Sequence, residues 1–286
     1  MKIGVCASRF DKRYSRWGDK CYDKIKEAGF SCVDFSIPNT DIELYNCSDE
    51  RFLEIITCEK KLIEKAGLTV SQVHGPWRYP PKDLLPEDRQ ERLDKMKRSI
   101  FAAYLLNCKY WVVHPIMPYG TDDILTHNEE KTWDMNLEFM KELLEYAKQY
   151  DVTICFENMP MRNFSNAKPE DTLRFVKEIN DDNFKICLDT GHVAVFDELS
   201  LADETRRLGD YIKVLHVHDN LYNIDMHMMP YLGKIDWNGF ISALKDIGYK
   251  GVFSLETVPS AKLPSPYFEN IFKIMADMTK EMVIDI

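Results

Sequence analysis

The feature that most constrains this chain is an alternation that occurs eight times: a run of about six apolar, β-favouring residues, then a longer stretch of helical period. The strand-like runs are residues 2–7, 31–36, 68–73, 109–114, 152–157, 184–189, 211–216 and 252–256. The helical stretches are residues 19–28, 49–66, 86–106, 128–150, 168–179, 200–209, 236–247 and 267–282. Val, Ile, Leu, Cys and Phe dominate the strands, the composition of strands covered on both faces. Gly29, Gly67, Gly209 and Gly248 lie at helix ends just ahead of strands, where a left-handed residue closes a helix, and Asp236 stands where an N-cap belongs. No Gly-, Ser- or Pro-rich linker divides the chain. The alternation predicts an α/β fold, a (β/α)8 TIM barrel forming one domain over residues 1–286. The competing open, doubly wound sheet lacks its glycine fingerprint, because Ala7-Ser8-Arg9-Phe10-Asp11 follows the first strand.

In such a barrel the chemistry stands at the C-terminal ends of the strands. Strand three ends in Val73-His74-Gly75, strand four in Val113-His114-Pro115 and strand five in Phe156-Glu157-Asn158. Strand six ends in Leu188-Asp189-Thr190-Gly191-His192, strand seven in Leu215-His216-Val217-His218-Asp219 and strand eight in Leu255-Glu256-Thr257. With His227 in the following loop, this set takes every histidine of the seven except His127. A single His or Glu at a strand end is ordinarily a hydrogen-bonded structural group. Six consecutive strands behaving alike require another account. Two Glu, an Asp and a His converging on one mouth would be costly to bury unless a cation stood among them. Glu157, Asp189, His216 and Glu256 form a mixed oxygen and nitrogen set suited to a divalent ion, Mn²⁺ first, with Zn²⁺, Co²⁺ or Mg²⁺ as the other options. His218, two residues beyond His216 and on the same strand face, either lines the pocket or supports a ligand from behind.

A content of 45% hydrophobic residues supports a large core, and the net charge of −10 disfavours a protein built to grip phosphate backbones. The eight cysteines show no C-x-x-C spacing and several lie in apolar runs, so they read as reduced core residues. The N-terminal run meets Arg9 and Asp11 before a signal-peptide core forms, and no 18-residue apolar stretch occurs, which predicts a cytoplasmic protein without membrane contact.

These motifs, with Val-His-Gly-Pro at 73–76, Leu-His-Val-His-Asp-Asn at 215–220, Asp225-Met226-His227 and Gly233-Lys234-Ile235-Asp236-Trp237, resemble the xylose isomerase-like barrels. That superfamily groups sugar phosphate isomerases and epimerases with the metal-dependent apurinic endonucleases. The resemblance implies that Glu157, Asp189, His216 and Glu256 hold one metal, that Glu157 and Glu256 also move protons, and that His192 touches substrate hydroxyls. It equally implies that His74, His114, His192, Asp225 and His227 are of the type that holds further zinc ions in the endonucleases. His218 belongs with these as a substrate-binding or additional metal residue.

Three readings follow. The leading one is a metal-dependent isomerase or epimerase of a sugar, sugar phosphate or cyclitol, working by proton transfer through an enediolate. The alternative is a zinc-dependent apurinic endonuclease of the endonuclease IV type, and a barrel that binds without turnover is a third. The loops favour the first: Asp41, Glu43, Asp49 and Glu50 follow strand two, and Asp122, Asp123, Glu129 and Glu130 follow strand four. These oppose a DNA duplex, so the expected partner is a small sugar, in a chain compatible with a homo-oligomer. Arg9 and Arg13 in the first loop would suit a substrate phosphate or a solvated surface. Phe10, Trp17, Trp77, Tyr79 and Tyr119 are candidates to wall off a sugar ring.

Overall fold

The computed structural model describes residues 1–37, 40–284 and 286. Eight parallel strands, β1 (Ile3–Cys6), β2 (Cys32–Ser36), β3 (Thr69–His74), β4 (Tyr110–Val113), β5 (Thr153–Glu157), β6 (Phe184–Asp189), β7 (Ile212–His216) and β8 (Phe253–Leu255), pair in the order β7-β6-β5-β4-β3-β2-β1-β8. The ring closes where Val217 bridges Leu255: Val217 N–H donates to the Ser254 carbonyl at 2.9 Å and Glu256 N–H to the Val217 carbonyl at 3.0 Å. The fold is therefore the expected single-domain TIM barrel.

The eight expected helices are present as α1 (Cys21–Ala28), α3 (Asp49–Lys65), α4 (Pro86–Leu105), α5 (Glu129–Lys148), α6 (Pro169–Ile179), α8 (Leu201–Leu208), α9 (Trp237–Asp246) and α10 (Ser265–Met282). Among the described residues, two short α-helices, α2 (Glu43–Asn46) and α7 (Thr190–Ala194), are additional; each is about one turn, too short to leave a periodic signal in the sequence. The boundary signals act as expected. Gly29 closes α1 at φ 114°, and Asp236 caps α9 by accepting from Gly239 N–H at 3.1 Å.

The strand period of two sorts the side chains. Trp111, Val113, Ile154, Phe156, Ile186, Leu188 and Leu215 join the main core beneath the helices, and Trp111 Nε1 donates to Ser99 Oγ of α4 at 2.9 Å. On the opposite face, Val112, Cys155, Cys187 and Val214 pack together inside the barrel as an apolar plug. Two residues further along those four strands stand His114, Glu157, Asp189 and His216. The plug is thus the floor on which the polar mouth is built. All eight cysteines are unpaired, and Cys155 and Cys187 serve as small apolar residues in that floor. Among the described residues, no helix is long and apolar enough to cross a membrane.

Candidate metal centre and active site

Glu157 lies at the centre of the mouth, fully buried. Its Oε1 is 2.9 Å from His216 Nδ1, and its Oε2 faces His114 Nε2 at 3.0 Å and His74 Nε2 at 3.4 Å. The barrel closure brings Glu256 beside the same ring, with Oε2 3.3 Å from His216 Nδ1. Glu157 is sealed, whereas the Glu256 side chain is 18% exposed and reaches the open mouth.

Asp189 is held by its surroundings before any ligand is considered. Its Oδ1 caps α7 by accepting from His192 N–H at 2.7 Å, and Asn158 brackets its backbone, accepting from Asp189 N–H at 2.9 Å and donating to Asp189 O at 3.1 Å. His218 Nε2 lies 3.0 Å from Oδ1 and 3.1 Å from Oδ2 of Asp189. His218 therefore supports Asp189 from behind, and its ring sits so close to the chain at Gly191 that a β-carbon there would stand 1.9 Å from His218 Cε1. His192 hydrogen-bonds the Asn158 carbonyl through Nδ1 at 2.7 Å, which turns Nε2 toward Asp225 Oδ2 at 3.5 Å. His227 Nε2 approaches the same Asp225 oxygen at 3.1 Å, and its ring stacks on His218 with centroids 4.2 Å apart. All ten expected site residues thus lie in one connected cluster, while His127 stands in the loop before α5.

Two neighbours of the site carry no strand-end signal. Asp34, buried in β2, lies with Oδ2 3.0 Å from His216 Nε2, and Gln72 Nε2 donates to that same oxygen at 3.0 Å. The visible hint was a lone aspartate inside Cys-Val-Asp-Phe-Ser, which a buried strand tolerates only with a partner. Of the expected aromatic walls, Trp77 meets His114 edge to face at 4.6 Å. Trp17 instead packs against Phe268 and Phe272 of α10, and Phe10 against Phe35 of β2. Arg9 is paired with Glu59 and Asp19, its Nε 2.9 Å from Glu59 Oε1, and Arg13 Nε with Asp11 Oδ2 at 2.7 Å.

Charge in the cluster is interlocked. Burial alone would raise the Glu157 carboxyl, but His216 and His114 reverse this and hold it well below the ordinary carboxylate range. Burial likewise opposes the His216 cation, yet Cys187, Glu256 and Glu157 together with Asp34 raise it well above the ordinary imidazole range. Against the same penalty, Asp189 and Asp225 push His192 up to about 10, and Asp225 and Glu256 push His227 up to about 9. His114 goes the other way, lowered to about 4 because burial dominates. Glu157, Asp189 and Asp225 are thus held as carboxylates, and protons on His192, His216 and His227 supply balancing charge.

A divalent cation fits this donor set. One donor atom each from Glu157, Asp189, His216 and Glu256 lie within 4.8 Å of one another, and the buried Oε2 atoms of Glu157 and Glu256, although close to imidazole nitrogens, accept no well-aligned hydrogen bond. Further trios with the same compactness are His74, Glu157 and His216; Asp189, His192 and His218; and His218, Asp225 and His227.

A family model described as xylose isomerase-like TIM barrel matches residues 22–274. The chain belongs to this family. It is 29% identical over 222 residues to an uncharacterized protein of Methanocaldococcus jannaschii, covering 73% of each chain. It is 24% identical over 286 residues to a D-psicose 3-epimerase of Ruminiclostridium cellulolyticum, covering 98% of this chain and 90% of that one. A solved D-tagatose 3-epimerase-like protein superposes with a TM-score of 0.75 at 24% identity, over 100% of this chain and 99% of that one, and so shares the fold.

Proposed function

We propose that this barrel is a divalent-metal-dependent sugar isomerase or epimerase, with Glu157, Asp189, His216 and Glu256 holding the ion. The observation that carries this reading is the facing pair of glutamates: Glu157 from β5 and Glu256 from beyond β8 both address His216 Nδ1, one sealed and one open to the mouth. Similarity to sugar 3-epimerases supports the same assignment. A bound Mn²⁺ or related ion would supply Lewis-acid stabilisation of the negative charge that develops on neighbouring oxygens of a ketose. Glu157 and Glu256 are the proton carriers. One takes the proton from the carbon beside the carbonyl, and the other returns it on the opposite face for epimerisation or at the adjacent carbon for isomerisation. His192, fixed through Nδ1, presents Nε2 to substrate hydroxyls, and Trp77 closes the side of the mouth next to His114.

Charge at the mouth favours an unphosphorylated sugar. Arg9 and Arg13 are occupied by Glu59, Asp19 and Asp11; Arg78 serves Glu91 at 3.2 Å, and Arg162 lies 3.6 Å from Glu198. A phosphate would have to break such pairs. A second reading, phosphodiester cleavage by several zinc ions, draws on His74 and His114 converging on Glu157 and on the His218, Asp225 and His227 trio. The acidic loops after β2 and β4 weigh against a DNA partner.

The test is proton exchange. With Mn²⁺ or Co²⁺ added and a panel of free and phosphorylated ketoses in deuterated water, the expected result is deuterium entering a carbon-bound position of a free ketose, followed by the epimer or isomer in the NMR spectrum. Incision of abasic duplex DNA, with no exchange in any sugar, would replace this reading by the second.

A further inference from the structure

Asp34 stands in β2 between Val33 and Phe35, both of which join the core beneath the helices, while its own carboxylate is fully buried inside the barrel. At this point the pairing of β2 with β3 steps by one residue, from Val33 opposite Val70 to Asp34 opposite Gln72. The step sets the carboxylate beside the Gln72 amide, which donates to Asp34 Oδ2 at 3.0 Å and to the Leu215 carbonyl at 3.2 Å. Asp34 is thereby tied through Gln72 to β7 at the residue next to His216. The same Oδ2 faces His216 Nε2 at 3.0 Å. The interior just below is apolar, filled by the plug of Val112, Cys155, Cys187 and Val214. A buried carboxylate with a register step and an amide to hold it requires a purpose.

The two nitrogens of an imidazole are not equivalent once one of them must offer a lone pair. His216 Nδ1 points into the ligand set, toward Glu157 and Glu256. For Nδ1 to bind a cation, the remaining ring proton must sit on Nε2 and needs an acceptor there; Asp34 is that acceptor. We propose that Asp34, held by Gln72, is a positioning residue that fixes His216 in the Nε2–H form and so strengthens cation binding at Nδ1. This rests on the metal-centre reading above. A carboxylate can only accept, whereas an amide at position 34 can turn either its oxygen or its NH2 group to the ring and so no longer holds the proton on Nε2.

The experiment measures Mn²⁺ binding by the full chain through the electron paramagnetic resonance signal of free Mn²⁺, comparing the wild type with Asp34→Asn, Gln72→Met and His216→Ala. Asp34→Asn is expected to weaken Mn²⁺ binding about 10- to 100-fold and Gln72→Met less, in the same direction. In the zinc-loaded wild type, the His216 Nε2–H should appear as a downfield proton bonded to nitrogen, and it should be lost in Asp34→Asn; a merely structural role would not move it. Wild-type affinity in Asp34→Asn, alongside weakened binding in His216→Ala, would overturn the positioning role and leave the metal centre standing. Absent or unaltered Mn²⁺ binding in the wild type and His216→Ala alike would remove the metal centre and the proposal with it. Should Asp34→Asn fail to fold, Gln72→Met decides, and unchanged affinity there counts against Asp34.

Discussion

At the residue scale, two glutamates that differ in exposure share one imidazole, and the proposed chemistry depends on both. Replacing Glu157 or Glu256 by Gln preserves shape but removes a ligand charge and a proton carrier. Each variant is expected to fold normally by circular dichroism and to lose about 10²- to 10⁴-fold or more in turnover. Near-normal turnover in either would refute the shared role. Packing sets a second constraint at Gly191, where the His218 ring leaves no room for a β-carbon. Gly191→Ala should therefore displace His218 from Asp189 and destabilise the fold by about 1–3 kcal/mol, read as a lowered Tm in thermal unfolding. A Tm equal to that of the wild type would show that the ring can yield without loss.

At the element scale, the long connection from β7 to α9 carries Asp225 and His227 over the mouth, and a single carboxylate organises it. Asp219 Oδ1 accepts from Asn220 N–H at 2.9 Å and Ile235 N–H at 3.2 Å, and Oδ2 from Gly233 N–H at 3.1 Å and Trp237 Nε1 at 2.9 Å. Asn220 adds a second clasp, donating to the Gly191 carbonyl at 2.6 Å and accepting from Met226 N–H at 2.7 Å. Asp219→Ala leaves four donors without their acceptor, each worth about 1 kcal/mol net. Hydrogen exchange at the Gly233 and Ile235 amides should accelerate at least about tenfold while the barrel strands keep their protection. Unchanged exchange at those two amides would mean the connection is held by other contacts.

At the scale of the whole molecule, ionised carboxylates inside the mouth link folding to cation binding. Chelator should lower the Tm, and Mn²⁺ at about 100 times its dissociation constant should restore about 2.7 kcal/mol of stability. An unchanged Tm across chelator and Mn²⁺ would argue that imidazole protons alone balance the cluster. The net charge of −10 and the paired arginines of the mouth carry a further expectation. Turnover of a neutral ketose should change little over a fourfold rise in salt, whereas a duplex held through six neutralised phosphates would lose roughly a thousandfold in affinity.

What the sequence determines by itself is whatever is local and periodic. The eight strands are legible because each is a short apolar run between helical stretches, and Glu157, Asp189, His216 and Glu256 are legible because a strand end in this alternation has only one place to go, the mouth of the ring. Contacts between distant segments are the part that only the tertiary structure decides. Asp34 reads as an interruption in an apolar run until the step between β2 and β3 sets it beside Gln72 and beneath His216, 182 residues away in the chain. Arg9 reads as a free cation until α3 brings the buried Glu59 to it from 50 residues on. Trp17 reads as a wall of the mouth until α10 packs over it. Period and composition report which face of an element is buried, but partners across the barrel follow from strand register and ring closure, which are properties of the assembled sheet rather than of any one segment.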